Sequence, residues 1–412
     1  MRNTVFSALV LLAAAFARAE EGDARAVVGA VQAEVRAAHG YWRDFQDTSH
    51  DRALLPKIER CYQRVLAFTP VLQQLPVEEY EGLLSKGTVP DAYRPTLYDV
   101  VVHELLDFYA AAARLFPEGD EGAALPADGP ALKDAEGFCE VAVPDGAAQR
   151  SRVLRALRLY QVLLAFHERD EDRSAYADAD LGRLLFCGLF AAGAGRDERY
   201  AAALDRFAHT WRRLDVSTRA IALRARLALG GGDLAFARML ARNGAATFPA
   251  SVGAAQCRNL IAEVETPELA VAVPKVWRAP WPSFTVTYRN LTQVTFRAVA
   301  DRGGAGGKPA KVWTVPLPPA PDCRVRDYEV TVPRDLPPGG YTVSASTDGK
   351  FESGGLPVFS TVIRVGGGDE DGPGAPVAFA QASGEWECAR EPDAWRYRAW
   401  LDENGDPAGF RY

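Results

Sequence analysis

The sequence predicts an α plus β multidomain chain. An N-terminal all-α, repeat-like array of helical hairpins comes first, then a seven-stranded antiparallel β-sandwich, then a short β tail. Three observations predict this. Proline is unevenly spread, with 10 in residues 1–266 and 17 in residues 267–412. The first part is rich in Ala, Leu and Arg with apolar residues at helical spacing, whereas the second is rich in Val, Thr, Gly and Pro and alternates. A Gly/Asp run at 366–376 then separates the sandwich from an aromatic tail. The expected segments are 1–19 (signal peptide), 20–266 (helical), 267–365 (sandwich), 366–376 (linker) and 377–412 (tail).

The first 19 residues have the pattern of a secretory signal. Arg2 supplies the positive start, Val5 to Phe16 the apolar run, and Ala17-Arg18-Ala19 the small-x-small pattern before a cut at Glu20. The run is shorter than the roughly 20 apolar residues a membrane span needs. A buried N-terminal helix is the competing structural reading.

Helices are expected over 24–39, 51–67, 96–116, 147–169, 175–193, 197–213, 217–229, 233–247 and 251–263. Short breaks between the last five imply antiparallel neighbours. Gly232-Asp233, Ala237 and Phe248-Pro249 resemble the second helix of a tetratricopeptide repeat. The preceding helix lacks that family's aromatic and glycine positions. Glu118 to Gly129 is expected to be a long loop.

Seven alternating runs predict the strands of the sandwich: 269–273, 284–288, 294–298, 313–317, 328–332, 341–345 and 358–365. Leu336-Pro337-Pro338-Gly339-Gly340 should reverse the chain. In the tail, Asn404-Gly405 is a hairpin signal. Thirty-six residues are few for an independent core, so docking on the sandwich is the expected way to bury the tail's aromatics.

Formal net charge is -7, and about -9 once Arg2 and Arg18 leave with the signal. A net acidic chain is a poor candidate for electrostatic binding to nucleic acid or anionic membrane. There are 7 Lys against 40 Arg, read as codon bias. The six cysteines (Cys61, Cys139, Cys187, Cys257, Cys323, Cys388) are widely spaced, which argues against zinc and redox motifs. In an exported chain they permit disulfides, with pairing undetermined. For Cys61 and Cys187, within helical patterns, a buried free thiol is an equal expectation.

Two strings carry a family resemblance: "FPASVGAAQCRNLIAEVETPEL" from Phe248, and "FTVTYRNLTQVTFRAV" from Phe284. With "RPTLYDVVVHELLDFY" (94–109), "VWTVPLP" (312–318) and "LPPGGYTVSASTDGKF" (336–351), the chain resembles the N-terminal region of bacterial alpha-2-macroglobulin family proteins over roughly 90–365. The resemblance implies a helical region followed by a first macroglobulin-type, immunoglobulin-like sandwich. Protease-trapping members carry a Cys-x-Glu-Gln thioester. None of the six cysteines here has that sequence, and the length leaves no room for a bait region. The expectation is therefore a non-enzymatic exported protein, periplasmic or extracellular, acting through protein contacts with a protease or cell-envelope protein as partner. A periplasmic helical-repeat or peptide-binding scaffold is the alternative.

No catalytic, cofactor-binding or metal residue is assigned. The nearest to a metal motif is His103-Glu104-Leu105-Leu106-Asp107, the basis of a weaker metal-dependent hydrolase reading. A zincin needs His at both i and i+4, and here the second position is Asp107. Asp99, His103, Asp107 and Arg114 form one stripe opposite Tyr98, Val101, Leu105 and Tyr109, as a solvated helix face does. His39, His50, His167 and His209 show no ligand spacing. Asp402 to Asp406 only faintly resembles a calcium loop, and a plain hairpin is preferred. Glu79 and Glu81, Asp178 and Asp180, and Asp369 to Asp371 are expected to be solvated surface carboxylates. Asn290-Leu291-Thr292 is read as a turn between strands.

Overall fold

The computed structural model describes residues 2–48, 50–117, 124–144, 146, 150–301, 308–351, 358–366, 377–378, 397–402 and 406–410. Side chains of residues 2–23, 358–359 and 377–378 lie outside that description. The chain is mixed α and β, with helices first and sheets after. It forms two compact units, one of residues 1–220 with 393–412 and the other of residues 221–392.

In the first unit α1 runs Arg2–Asp47. The proposed signal falls on its start, where only the backbone is described. Among the described residues no helix is long and apolar enough to cross a membrane. Farther along α1, Val28, Val31, Val35, Ala38, Trp42 and Phe45 repeat every three or four residues and are buried, as one helical face requires. Helix α2 (Leu55–Leu66) opens with a proline in its first turn and buries Ile58, Tyr62 and Val65. The short α3 (Thr69–Leu72) follows.

Helix α4 (Leu97–Leu115) starts on a capping box. The Thr96 side chain accepts from the Asp99 amide, and the Asp99 carboxylate accepts from the Thr96 amide at 2.9 Å. Such caps contribute about 0.5–2 kcal/mol. Nearly every side of α4 is buried, so it is the unit's central helix and no amphipathic stripe survives. The short α5 (Ala135–Cys139), α6 (Arg152–His167), α7 (Ser174–Phe190) and α8 (Arg196–Thr210) follow. The expected loop at 118–129 is not wholly irregular. Strand β1 (Leu125–Pro126) pairs in parallel with β2 (Ala191–Ala192), while 118–123 lie outside the described residues.

Helix α9 (Ser217–Gly230) contains the division between the units, and α10 (Leu234–Thr247) and α11 (Val252–Glu265) belong to the second. All nine expected helical runs lie in helices, apart from a few terminal residues and, within 147–169, the undescribed 147–149. Ala222, Ala225, Ala241, Cys257 and Leu260 form a small-residue core. Gly244 sets its spacing, because a Cβ there would meet the Cys257 sulfur and the Ile221 side chain at under 3 Å.

The strands are β3 (Glu268–Val273), β4 (Val276–Trp277), β5 (Ser283–Arg289), β6 (Gln293–Ala300), β7 (Lys311–Pro316), β8 (Arg326–Thr331), β9 (Gly339–Ser346), β10 (Val358–Val365) and β11 (Val377–Ala378). One sheet has the order β4-β10-β9-β6-β7, the other β11-β3-β5-β8. Neighbours are antiparallel except β4 and β10, which are parallel. The seven expected runs fall on β3 and β5–β10, within a residue at the ends. One apolar cluster draws Leu269, Val286 and Val330 from the second sheet and Phe296, Val343 and Ile363 from the first. The Asn290 turn joins β5 to β6. Its φ of 56° suits asparagine, and its side-chain amide donates to the Val264 and Thr266 carbonyls, capping the end of α11.

One expectation is corrected, and one that was open is decided among the described residues. The described tail residues 397–402 and 406–410 belong to the first unit with the helices, not to the unit of the sheets. Phe410 packs among aromatics of α1, α2 and α4, described below. Among the described tail residues, only Val377–Ala378 joins a sheet, beside β3. The cysteines are also simpler than a disulfide framework. Cys61, Cys139, Cys187, Cys257 and Cys323 are free, all but Cys139 buried. Burial pushes the Cys187 thiol up to about 12, as an apolar environment does to a group that would become charged. Cys388 lies outside the described residues.

Candidate functional site

Among the described residues, a polar constellation lies in the first unit, where residues from the segment before α4, from helices and from the tail converge on Asp178 of α7. Asp178 is 2% exposed. Arg219 donates to its Oδ1, and the Tyr397 hydroxyl donates to the same oxygen at 2.6 Å. Arg94 Nε lies 3.4 Å from Oδ2. Burial opposes the charge on Asp178, but Arg219 and Arg94 hold its carboxyl below the usual range. The Arg94 guanidinium also stacks 3.3 Å from the centre of the Tyr397 ring, a favourable cation–π placement. Arg219 donates to the Tyr397 oxygen at 2.6 Å, and Tyr93 donates to Asp215 at 2.6 Å.

The residues after Tyr397 continue along the helical unit as an extended segment. Ser85 donates its amide to the Ala399 carbonyl at 2.7 Å, and Leu401 donates to the Leu83 carbonyl at 2.9 Å. Leu84 and Trp400 form an antiparallel bridge. Arg398 makes two bonds of 2.8 Å to the Asp91 carboxylate, the bidentate geometry that gives both energy and direction. Trp400 is fully buried. The chain then turns back, and Ala408 donates to the Trp400 carbonyl at 2.9 Å. This pairing brackets the expected Asn404-Gly405 turn, whose residues 403–405 lie outside the description. Phe410 ends in an aromatic nest with ring centroids 5.3 Å from Trp42 and Phe108, 5.6 Å from His39 and 5.9 Å from Tyr62.

The three residues of the metal reading separate in role. Glu104 accepts from the Tyr62 hydroxyl at 3.0 Å and lies 3.4 Å from His39 Nε2. His103 is buried, and burial followed by the nearby Arg94 charge pushes its pKa well down, so it is neutral at pH 7. Asp107 is exposed, yet crowding by surrounding protein raises its carboxyl to about 6, with Glu104 and Asp178 adding to the rise and Arg94 opposing it. A carboxyl titrating near 6 is suited to proton exchange near neutrality. Among the described residues no group of three His, Cys, Asp or Glu could hold a metal ion.

Two readings of solvated surface are overturned. Asp99 and His103 are buried, not on a wet face. Asp99 reaches His167 Nε2 at 2.7 Å, and the other ring nitrogen of His167 lies 2.6 Å from Asp170. Burial opposes the imidazolium, but the two carboxylates outweigh it and raise the His167 pKa. Asp178 and Asp180 are buried too. Asp180 is held by the fully buried Arg183, 2.8 Å away. In each case a guanidinium or imidazole from the same unit supplies the compensation a buried carboxylate requires. Glu79 and Glu81 are exposed as expected, and Asp369 to Asp371 lie outside the described residues.

The sequence reading missed Arg94, Asp91, Arg219, Tyr397 and Arg398 as partners. They come together from positions up to 307 residues apart, and only the Tyr397-Arg398-Ala399-Trp400 pattern offered a local signal. Set against known proteins, the chain matches no family model, no curated protein and no solved structure.

Proposed function

We propose that the chain is a non-enzymatic exported protein that acts through protein contacts. In this reading it is a module like the N-terminal region of bacterial alpha-2-macroglobulin-like endopeptidase inhibitors, without a thioester trap of its own. Residues 267–365 are then a seven-stranded macroglobulin-type sandwich, a reading supported by the single apolar cluster shared between two sheets. The helices form the hairpin array, and the signal peptide is cut near Ala19. A protease or a cell-envelope protein is the partner.

One observation carries the reading. The charged groups that look most like chemistry, Asp178, Arg219, Arg94 and Asp91, are engaged in gripping a polypeptide segment. The same grip favours the second reading, a scaffold that holds extended peptides. The test is direct. The purified chain is incubated with serine, cysteine and metalloproteases and examined by mass spectrometry. No covalent adduct is expected, and an adduct would overturn the proposal. Elemental analysis separates out the hydrolase built on His103, Glu104 and Asp107. A stoichiometric metal that disappears in the His103→Ala chain would replace the present reading with that one.

A further inference from the structure

The described residues of the segment 397–410 make the kinds of contact a bound peptide makes. Its hold on the helical unit is modular, with two backbone bonds, a bidentate Arg398, a buried Trp400, a hydroxyl on Asp178 and a ring in an aromatic nest. Each contact is one that peptide recognition uses. Main-chain pairing along an edge supplies affinity, and alternate side chains in pockets supply specificity. Buried aromatic and arginine anchors are where binding energy concentrates.

The fit is also imperfect in a telling way. Arg398 Nη1 and Trp400 Nε1 are buried without a hydrogen-bond partner. An unsatisfied buried donor costs on the order of 1–3 kcal/mol, so the segment gives up part of the affinity its anchors supply. The groups that meet the segment come from other parts of the helical unit. Asp91 and Asp178 lie on elements outside the segment, and Arg94 and Arg219 both lie beside Asp178. The nest of Trp42, Phe108, Tyr62 and His39 is built from α1, α2 and α4 alone.

We propose that this groove is a capture site for an extended aromatic–Arg–x–Trp segment with a following aromatic, occupied here in cis by residues 397–410, and that the same segment from a second copy of the chain can replace it. This rests on the reading of the chain as a protein that works by protein contacts, and names the partner of that same site. Exchange makes a segment-swapped dimer, a low-cost route by which identical chains associate.

The experiment uses the full chain carrying a specific protease site inserted between Pro392 and Asp393. After cleavage the fragment 393–412 is expected to co-elute with the rest on native gel filtration. A fluorescein-labelled peptide of residues 393–412 is then added in excess. Saturable binding by anisotropy is expected, with stoichiometric release of the original fragment. Labelled peptides carrying Arg398→Glu or Trp400→Ala should bind at least about 10-fold more weakly. Failure of the labelled peptide to bind, with the nicked protein still helical by circular dichroism, would overturn the proposal. So would unfolding of the helical unit when the fragment is released, which would make the segment part of the core. A protease adduct sinks the underlying reading whatever the peptide does, and failed exchange without an adduct sinks only this inference.

Discussion

His167 shows how a single buried side chain sets a pH dependence. Both ring nitrogens face carboxylates, Asp99 at 2.7 Å and Asp170 at 2.6 Å, so the doubly protonated ring fits best. Its pKa is raised in the fold. A raised histidine contributes stability that is full below the unfolded value of roughly 6.5 and is lost as pH rises through the folded value. Urea unfolding of the parent and His167→Gln should therefore differ most at pH 5.5, by on the order of 1–3 kcal/mol, and less at pH 9. An equal gap at both pH values would contradict the assignment. Asp107 works with the opposite consequence. Its carboxyl titrates at about 6 in the fold against roughly 3.9 when unfolded, so its charge opposes folding as pH rises between those values and beyond. Asp107→Asn should be at least as stable as the parent at pH 7.5, with the advantage gone at pH 4. A variant destabilised at pH 7.5 would show that the charged form is needed.

At the scale of elements, periodicity was legible and pairing was not. Alternation marked seven strands because each side chain in β5 or β9 falls inward or outward in turn. Val276–Trp277 and Val377–Ala378 are two residues each and carry no period to read. Helix α4 was legible in extent but not in burial. Its Asp99 and His103 look like a wet stripe in sequence, and only tertiary partners reveal that they are buried. The α9–α11 packing rests on Gly244, where an added Cβ meets Cys257 and Ile221. Gly244→Val should destabilise the chain by about 1–3 kcal/mol through overpacking. Chemical denaturation checks this, and an unchanged midpoint would mean that the helices separate freely.

At the largest scale, the first unit holds a contact that no local pattern encodes. Tyr397 meets Asp178 across 219 positions and Arg398 meets Asp91 across 307, so a reader of the sequence sees an aromatic tail without its destination. The described tail belongs with the helices, although the strands lie nearer to it in sequence. Arg219 and Arg94 let Asp178 stay buried, and the Tyr397 hydroxyl adds a third partner. Removing either guanidinium from such a buried set is costly, on the order of 3–5 kcal/mol. Amide hydrogen exchange on the intact chain tests this organisation most directly. The Ser85, Leu401 and Ala408 amides should be protected, and Asp91→Ala should lower protection at Ser85 and Leu401 while the amides of α4 stay slow. Exchange of those three amides at unprotected rates in the parent chain would contradict it.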